Sequence, residues 1–375
     1  MTKRQSAHAR APSQSQSGDW LSDCDVLSLR RRLLAWYRAH RRDLPWRRTR
    51  DPYAIWVSEI MLQQTRVDTV VPYYERFLAA FPTVGALADA SSDEVMRAWA
   101  GLGYYRRARM MHEGARQLRD EAGGAVPTTR DELRAVRGIG PYTAGAIASI
   151  AFGEAVGLVD GNVARVLSRL FAIDLDMKGT GARVAAEIAD ALVAPRAPGD
   201  FNQALMELGA TVCTPRGPAC DACPVADVCR ARAEGRVDAL PRVAPRAAPR
   251  GLAMRALVAM SAEAVVLGRR RATLRFGGMW EPPCIEGEGE APWPTWLTIA
   301  RDVALVRHVL THRRLEVTVD ASQGRASALE RACVALATSL GDTYDAVRAV
   351  RTDALDSVGL STLAKKVLAA ARPRA

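Results

Sequence analysis

The sequence is poor in lysine and contains no long uncharged segment. Only four of its 52 basic residues are lysines, namely Lys3, Lys178, Lys365 and Lys366, so the rest are arginines. No run of about 18 residues lacks a charged side chain, which excludes a membrane-spanning helix. Because 49% of the residues are hydrophobic and 25% are charged, whole-chain disorder and fibrous repeats are excluded as well. The 375 residues are enough for two or three globular domains.

Two common nucleotide-binding motifs are also missing. Neither a glycine-rich dinucleotide fingerprint nor a P-loop occurs.

The N-terminal segment MTKRQSAHARAPSQSQSG has no apolar run and is therefore not a secretory signal. The segment has no acidic residue and is rich in Ser and Gln. This composition predicts a disordered tail over residues 1–22, with a transit peptide as the open alternative.

The charge balance is strongly basic. A net charge of +11 favours a polyanionic partner, while an arginine-favouring genome explains the same balance equally well.

Four of the seven cysteines lie close together. Cys213, Cys220, Cys223 and Cys229 are spaced C-x6-C-x2-C-x5-C, whereas Cys24, Cys284 and Cys333 are scattered. An odd, clustered count argues against a secreted disulfide framework and for an intracellular protein with a metal site. The spacing alone leaves tetrahedral zinc and a [4Fe–4S] cluster open, beside buried free thiols. The nearby Arg216, Arg230 and Arg232 are candidates for phosphate contacts or for a solvated face.

The periodicity divides the chain into a helical part and an α+β part. Helical spacing and capping boxes at Ser91–Glu94 and Thr129–Glu132 predict an all-α domain over residues 23–235. Residues 236–250 have the Pro-rich composition of a semi-rigid linker. The alternation in Leu257–Leu267 and in Leu315–Val319 predicts strands, and helices follow at residues 327–340 and 360–372. We therefore expect an α+β domain over residues 251–375.

A glycine turn joins two of the predicted helices. A capped helix runs to Val136, Gly138 and Gly140 form the turn, and Pro141 opens the next helix. The amides of such a turn bind a phosphate without any side chain, although plain helix packing explains the pattern about as well.

The chain resembles the endonuclease III superfamily of DNA glycosylases at three places. The turn segment 130–152 is similar to its helix–hairpin–helix, and Val159–Val163 is similar to the loop that carries its catalytic Asp. The cysteine spacing matches its iron–sulfur loop, residues 213–229. The resemblance therefore implies a [4Fe–4S] cluster held by those four cysteines.

Further motifs resemble the MutY family of adenine DNA glycosylases. They are Leu44–Arg47, Ile55–Thr65 and Gly101–Tyr105. Bifunctional relatives carry a Schiff-base lysine where this chain has Tyr142, so that amine nucleophile is missing.

The C-terminal part also resembles MutY, through Phe276–Pro282 and Arg307–His312. This resemblance implies a Nudix-like domain. Because no Nudix box is present, we expect the domain to bind its ligand rather than hydrolyse it. In the family this domain reads 8-oxoguanine through a loop usually written Phe-Ser-His. Here Leu310 lacks the aromatic ring, Thr311 keeps the hydroxyl and His312 is shared.

The resemblance assigns roles to individual residues. Glu59 lies on an apolar helix face that favours a protonated carboxyl, and it is expected to act as general acid toward adenine. Asp160 precedes a predicted helix over Val163–Leu170 and is expected to stabilise the cationic or covalent sugar, either with or besides a capping role. The remaining assignments are Tyr142 and Asn162 as assistants, Arg42, Trp46 and Arg47 in an adenine pocket, and Gln63, Gln64, Thr65, Tyr104, Gly138, Gly140, Thr311 and His312 on DNA.

Tyr104 and the arginines that follow it are further candidates for contacts with DNA. Because the target base is stacked in a duplex, it has to be flipped out. The planar Tyr104 ring suits the gap that the flipped base leaves in the duplex. Core packing is the alternative for that ring. Arg106, Arg107 and Arg109 are interpreted as phosphate contacts or a solvated face.

These expectations describe a monomeric, monofunctional glycosylase that acts with duplex DNA holding A:8-oxoguanine or A:G mispairs. Two alternatives are an endonuclease III-like glycosylase/lyase for oxidised pyrimidines and a catalytically degenerate DNA-binding homologue. The intact Glu59, Tyr142 and Asp160 argue against the second of these.

Overall fold

The computed structural model describes residues 20–244, 248–287 and 289–371. Residues 1–19 of the predicted tail, and residues 245–247 of the predicted linker, lie outside the described residues. No helix in the described part of the chain is both long and apolar enough to cross a membrane. The described residues form two compact units, one from those up to residue 43 together with 144–244, and the other from 44–143 together with those after residue 247.

The helical part extends from residue 26 to residue 239. Its short 3-10 turns include Pro45–Arg47, Cys220–Ala222, Ala226–Val228 and Val237–Ala239. The α-helices are α1 (Val26–His40), α2 (Pro52–Leu62), α3 (Val67–Ala80), α4 (Val84–Asp89), α5 (Ser92–Trp99), α6 (Arg106–Ala122), α7 (Arg130–Ala135), α8 (Pro141–Ala151), α9 (Gly161–Leu170), α10 (Thr180–Leu192), α11 (Pro198–Thr211) and α12 (Arg230–Ala233).

Local hydrogen bonds begin the helices where the sequence predicts. Both capping boxes form, with Ser91 and Glu94 at the start of α5 and Thr129 and Glu132 at the start of α7. Each box satisfies backbone N–H groups that have no partner within the helix. The predicted turn is also confirmed, since α7 ends before Val136 and α8 begins at Pro141.

The two glycines of that turn serve different purposes. Gly138 has a φ of 82°, and a Cβ there would lie 2.9 Å from the Met110 carbonyl group. Only glycine suits both conditions without strain. A Cβ on Gly140 would meet nothing within 4 Å, so space is open beside that backbone.

The C-terminal part is α+β, as expected. Its seven-stranded sheet, counted over the described residues, has the order β3-β2-β1-β6-β5, with β4 paired to β1 and β7 to β2. The β1–β6 pair is parallel and the others are antiparallel. The elements are β1 (Arg250–Met260), β2 (Ala264–Arg270), β3 (Trp280–Glu281), β4 (Cys284–Glu286), β5 (Ala300–Leu310), β6 (Arg313–Gln323), α13 (Ala326–Ser339), β7 (Tyr344–Arg351) and α14 (Thr362–Ala370).

One helix covers each face of the sheet. Leu363 and Val367 of α14 pack with Val258 and Leu267, and Leu329 and Leu336 of α13 pack on the opposite face. The sequence pattern does not predict β5 or β7. Most residues of β5 and half of those of β7 are exposed, so the apolar alternation of these strands is weak.

The first part of the predicted linker packs against the helical unit to which it belongs. The Leu240 carbonyl accepts from Arg169 at 3.0 Å, and the Arg242 carbonyl accepts from the Met177 N–H at 3.0 Å. Leu240 is buried. These residues are therefore an ordered extension of the helices.

A buried ion pair links β2 with β3 in the C-terminal domain. Arg270 and Glu281 are 2% and 4% exposed, and the guanidinium Nε donates to the Glu281 carboxylate. The Tyr344 hydroxyl donates to the same carboxylate at 2.8 Å. Removing one member would leave the other charge buried without its partner, which is more costly than losing an exposed pair.

Glu281→Gln is therefore expected to lower the free energy of unfolding of this domain by about 3–5 kcal/mol. Urea denaturation followed by tryptophan fluorescence measures the change. Glu316→Gln is the matched control, because Glu316 pairs with Arg307 at 2.9 Å on the exposed surface and should have little effect. Equal effects of the two substitutions would contradict the buried pair's importance.

Candidate active site and DNA interface

Glu59 is a buried carboxyl group held by a tyrosine. Every residue of α2 from Tyr53 to Met61 is buried, and Glu59 itself is only 5% exposed. The Tyr142 hydroxyl, from the first turn of α8, donates to Oε2 of Glu59. A buried carboxyl needs such a partner, because water cannot reach it freely. The structure thus brings together two of the residues assigned to catalysis.

Asp160 caps helix α9 and is bound by Asn162. Its Oδ1 accepts from the Asn162 and Val163 N–H groups at 2.9 and 2.7 Å, and its Oδ2 accepts from the Asn162 amide at 2.9 Å. The capping role is therefore real. Burial raises the pKa of Asp160 above its ordinary value, although these hydrogen bonds and the charge of Arg165 act in the opposite direction.

A buried arginine connects this cap to the cysteine loop. Arg165 donates to the Asn162 side-chain oxygen at 2.8 Å and to the Cys213 carbonyl at 2.7 Å. It also donates to the Gly209 carbonyl at 2.7 Å. A Cβ on Gly209 would lie 2.6 Å from the Asn162 Cβ, so a glycine is required where α11 meets α9. The sequence analysis did not identify Arg165 or Gly209.

The four clustered cysteines line one small cavity of about 30 Å³. Burial, together with the three neighbouring thiols, raises the pKa of Cys223 to about 11. Arg169 donates to the Cys213 sulfur at 3.4 Å. Four soft sulfur donors around one space fit a thiolate-ligated metal centre.

Among the described residues, no three His, Cys, Asp or Glu side chains form a group able to hold a single metal ion. Of the loop arginines, Arg232 pairs with Asp221 at 2.8 Å and Arg230 lies 6.0 Å from the Phe171 ring centre.

The three residues assigned to an adenine pocket are held by different contacts. Arg42 makes a bidentate ion pair with Glu207, whose two oxygens accept at 2.8 Å each. Glu207 is 1% exposed and was not identified from the sequence. The sequence signal for Glu207 is its position as a single acid among the apolar residues Leu205, Met206 and Leu208. An acid in such surroundings is buried and needs a cationic partner. Trp46 is buried against Tyr74 in an edge-on ring contact of 5.5 Å, and Arg47 is half-buried.

A large cavity within the second unit gathers most of the residues assigned to DNA. Its volume is about 1070 Å³, and no Asp or Glu lines it among the described residues. Five arginines and two histidines do, so its field favours an anion. Of the assigned residues, Gln63, Gln64, Tyr104, Gly138, Gly140, Thr311 and His312 line the cavity, whereas Thr65 does not.

Three non-glycine residues on this cavity wall have a left-handed backbone, and one of them is Phe276 with a φ of 57°. Gln64 has a φ of 60° and Tyr104 a φ of 47°. Such strain outside glycine is uncommon and clusters at functional sites. The Tyr104 side chain is 43% exposed, so the core-packing interpretation of that ring is wrong. Its hydroxyl lies 2.7 Å from the hydroxyl of Thr311, in the two-residue turn between β5 and β6.

The interpretation of Arg107 and Arg109 as phosphate contacts or a solvated face needs correction. The Arg107 guanidinium donates to backbone carbonyls at the end of α2, and Arg109 donates to the Gly277 carbonyl. Both side chains are half-buried because these carbonyls attract them inward. Arg106 is exposed.

Comparisons with known proteins indicate the family to which the chain is related. The profile of the HhH-GPD superfamily of base excision DNA repair proteins matches residues 57–193. The chain is also similar to a solved structure described as a thermostable thymine-DNA glycosylase, with 29% identity and a TM-score of 0.51. That match covers 57% of this chain and 99% of the other.

Three curated relatives are each named adenine DNA glycosylase. The protein of Rattus norvegicus is 52% identical over 58% of this chain, and that of Homo sapiens is 54% identical over 56%. The chain covers only 45% and 40% of those two relatives. The protein of Mycolicibacterium smegmatis is 45% identical, and the match covers 54% of this chain and 69% of that protein. This chain belongs to the adenine DNA glycosylase (MutY) family.

Asp160→Asn is expected to stabilise the fold at neutral pH, because burial disfavours the charged carboxylate. A raised folded-state pKa means that the folded protein binds the proton more tightly than the unfolded chain does. The loss of folding stability caused by the buried Asp160 carboxylate is therefore fully present above its folded-state pKa. This loss disappears as the pH falls below the ordinary pKa range of Asp. The increase in Tm should shrink on acidification, and calorimetry at several pH values measures it.

Asp25→Asn is the control for this prediction. Asp25 also caps a helix, accepting from the Ser28 N–H at 3.0 Å, but it is exposed. Asn is an equally good capping residue, so neither substitution should lose the cap. A lower Tm for Asp160→Asn at pH 7 would contradict the predicted effect of burial.

Proposed function

We propose that this protein is a monofunctional DNA glycosylase that removes adenine paired with 8-oxoguanine or guanine during base excision repair. The observation that carries the proposal is the buried Glu59 carboxyl with a tyrosine hydroxyl as its partner. A bifunctional enzyme needs an amine nucleophile near the sugar, and Tyr142 supplies a hydroxyl instead.

Cleavage of the glycosidic bond requires a proton for the base and an anion for the sugar. Glu59 is the proton donor toward N7 of adenine, and Tyr142 orients its carboxyl group. Asp160 opposes the positive charge that develops on the sugar. Its raised pKa indicates that the anion is poorly solvated, so a cation is attracted to it strongly. Asn162 fixes the carboxylate through two contacts.

The basic cavity is the proposed DNA interface. Its lining of arginine and histidine without acids suits a phosphate backbone, and Tyr104 is exposed where a stacking residue is needed. Gly140 offers open backbone for a phosphate contact. Thr311 and His312 are the proposed contacts to 8-oxoguanine, from a Nudix-like domain that binds without hydrolysing. The partner is duplex DNA with the A:8-oxoguanine mispair.

We further propose that Cys213, Cys220, Cys223 and Cys229 hold a [4Fe–4S] cluster. Their four thiols line one cavity, and thiolates are the ligands that such a cluster requires. Such a cluster supplies a rigid, thiolate-bound cross-link for the loop. The Arg165 contacts then tie this loop to Asn162 beside Asp160.

The direct test is single-turnover base release from duplexes that differ only in their central pair. The pairs are A opposite 8-oxoguanine, A opposite guanine, A opposite thymine, and thymine glycol opposite A, with alkali added afterwards. We expect alkali-dependent cutting of the adenine strand, fastest opposite 8-oxoguanine, and no strong borohydride trapping. Cutting at thymine glycol, or strong trapping, would instead support a glycosylase/lyase for oxidised pyrimidines.

Glu59→Gln is expected to slow adenine release by about 10²- to 10⁴-fold, because the amide cannot donate a proton to the base. The same single-turnover assay on A opposite 8-oxoguanine measures the rate. The exposed Glu75 on α3 provides the matched control, and Glu75→Gln should retain the wild-type rate. Unchanged turnover in Glu59→Gln would show that the chemistry is assigned to the wrong residue.

Cys223→Ser is expected to abolish broad absorbance near about 400 nm, which purified wild-type protein should show together with about four iron ions per chain. Absorbance and elemental analysis measure both quantities. Cys333→Ser is the control, because Cys333 packs within the C-terminal domain and should leave the absorbance intact. One zinc ion per chain without this absorbance would overturn the cluster assignment.

A further inference from the structure

Arg107 is a half-buried cation at the C-terminal end of α2, the helix that carries Glu59. Its Nη1 donates to the carbonyls of Ile60 at 2.7 Å and Met61 at 3.0 Å, and also to that of Gln63. Burial lowers the pKa of Arg107 to about 10, so the side chain stays charged at neutral pH. Helix C-terminal carbonyls carry partial negative charge and offset the cost of burying it.

The same guanidinium also contacts the loop that carries Tyr104. Its Nη2 donates to the Gly103 carbonyl at 3.4 Å and to the Thr65 hydroxyl at 3.2 Å. The guanidinium carbon lies 5.3 Å from the centre of the Tyr104 ring, within cation–π range. A single side chain therefore joins the segment 60–65 to the segment 103–104.

Both joined segments contain a residue with strained backbone. Gln64 and Tyr104 have positive φ, and both line the basic cavity. Non-glycine residues persist in this region only when their surroundings hold them there. Two of the four carbonyls that Arg107 binds are those of Gln63 and Gly103, which immediately precede the two strained residues.

We propose that Arg107 is a positioning residue that holds Gln64 and Tyr104 in the conformation needed to replace the adenine flipped out of the duplex. The inference rests on the proposed function and deepens it. Because Arg107 binds protein carbonyls, it acts through these two residues rather than on a phosphate. Preorganisation of this kind matters strongly, since small misplacements lower catalytic rates by large factors.

The test compares Arg107→Met and Arg107→Lys with wild-type protein and with Arg119→Met. Arg119 lies on the same helix, is 38% exposed and pairs with Asp89 at the surface, so it is a matched control. Three quantities are measured: single-turnover excision of adenine opposite 8-oxoguanine, the fluorescence of 2-aminopurine placed at the adenine position, and the salt dependence of binding to undamaged duplex. Unstacking of 2-aminopurine raises its fluorescence, which reports flipping without excision.

We expect Arg107→Met to slow excision roughly 10- to 100-fold and to reduce the fluorescence rise. Arg107→Lys should restore part of both effects, since an ammonium reaches fewer carbonyls than a guanidinium. The salt slope of binding should stay at the wild-type value in all variants, and Arg119→Met should match wild type throughout.

Three results would overturn the inference. The first is a wild-type fluorescence rise in Arg107→Met. The second is a salt slope lower by about one, which would assign Arg107 to a direct phosphate contact. The third is failure of both Arg107 variants to fold, which would assign it to general stability. If wild-type protein leaves adenine in every duplex, the proposed function fails, and the fluorescence arm still tests Arg107 separately.

Discussion

The hydrogen bond from Tyr142 to Glu59 is the interaction on which the candidate site depends. An isolated carboxylate inside α2 would be costly to desolvate, because almost every neighbour along that helix is apolar. The tyrosine hydroxyl satisfies the carboxyl without adding a charge. It also orients one of the two carboxyl oxygens. An apolar helix face and a neutral partner together suit a group that has to deliver a proton.

Helix ends carry much of the remaining chemistry in this protein. Asp160 uses the N-terminal amides of α9, whereas Arg107 uses the C-terminal carbonyls of α2. In both cases the unpaired backbone groups of a helix end offset part of the cost of burying a charge. Arg165 extends this arrangement from the Asp160 cap to the backbone of Cys213. Direct contacts through Arg165 and Asn162 therefore connect the cysteine loop to the candidate catalytic carboxylate.

The C-terminal domain shares the wall of the basic cavity with helical residues of the same unit. The Tyr104 and Thr311 hydroxyls meet there, and Phe276 packs near Tyr105 with ring centres 6.4 Å apart. The Asp93 carboxylate accepts from both Arg269 and Trp280 at 3.3 Å. These contacts fix the β5–β6 turn relative to the loop of Tyr104. The residue proposed to contact 8-oxoguanine and the residue proposed to replace the flipped base thus line the same cavity.

The local features of this protein were determined by the sequence itself. The capping boxes, the glycine turn before Pro141 and the alternating Leu315–Val319 strand depend on neighbours within a few residues, so their patterns are readable directly. The motifs also sufficed to single out Glu59, Asp160 and the four clustered cysteines as candidate site residues. Only the tertiary structure decided that Arg42 pairs with Glu207, that Tyr104 meets Thr311 and that Arg107 binds carbonyls instead of phosphate. These partners are tens to hundreds of residues apart, and a charged side chain carries no local signal of which distant oxygen will satisfy it once folding removes the water.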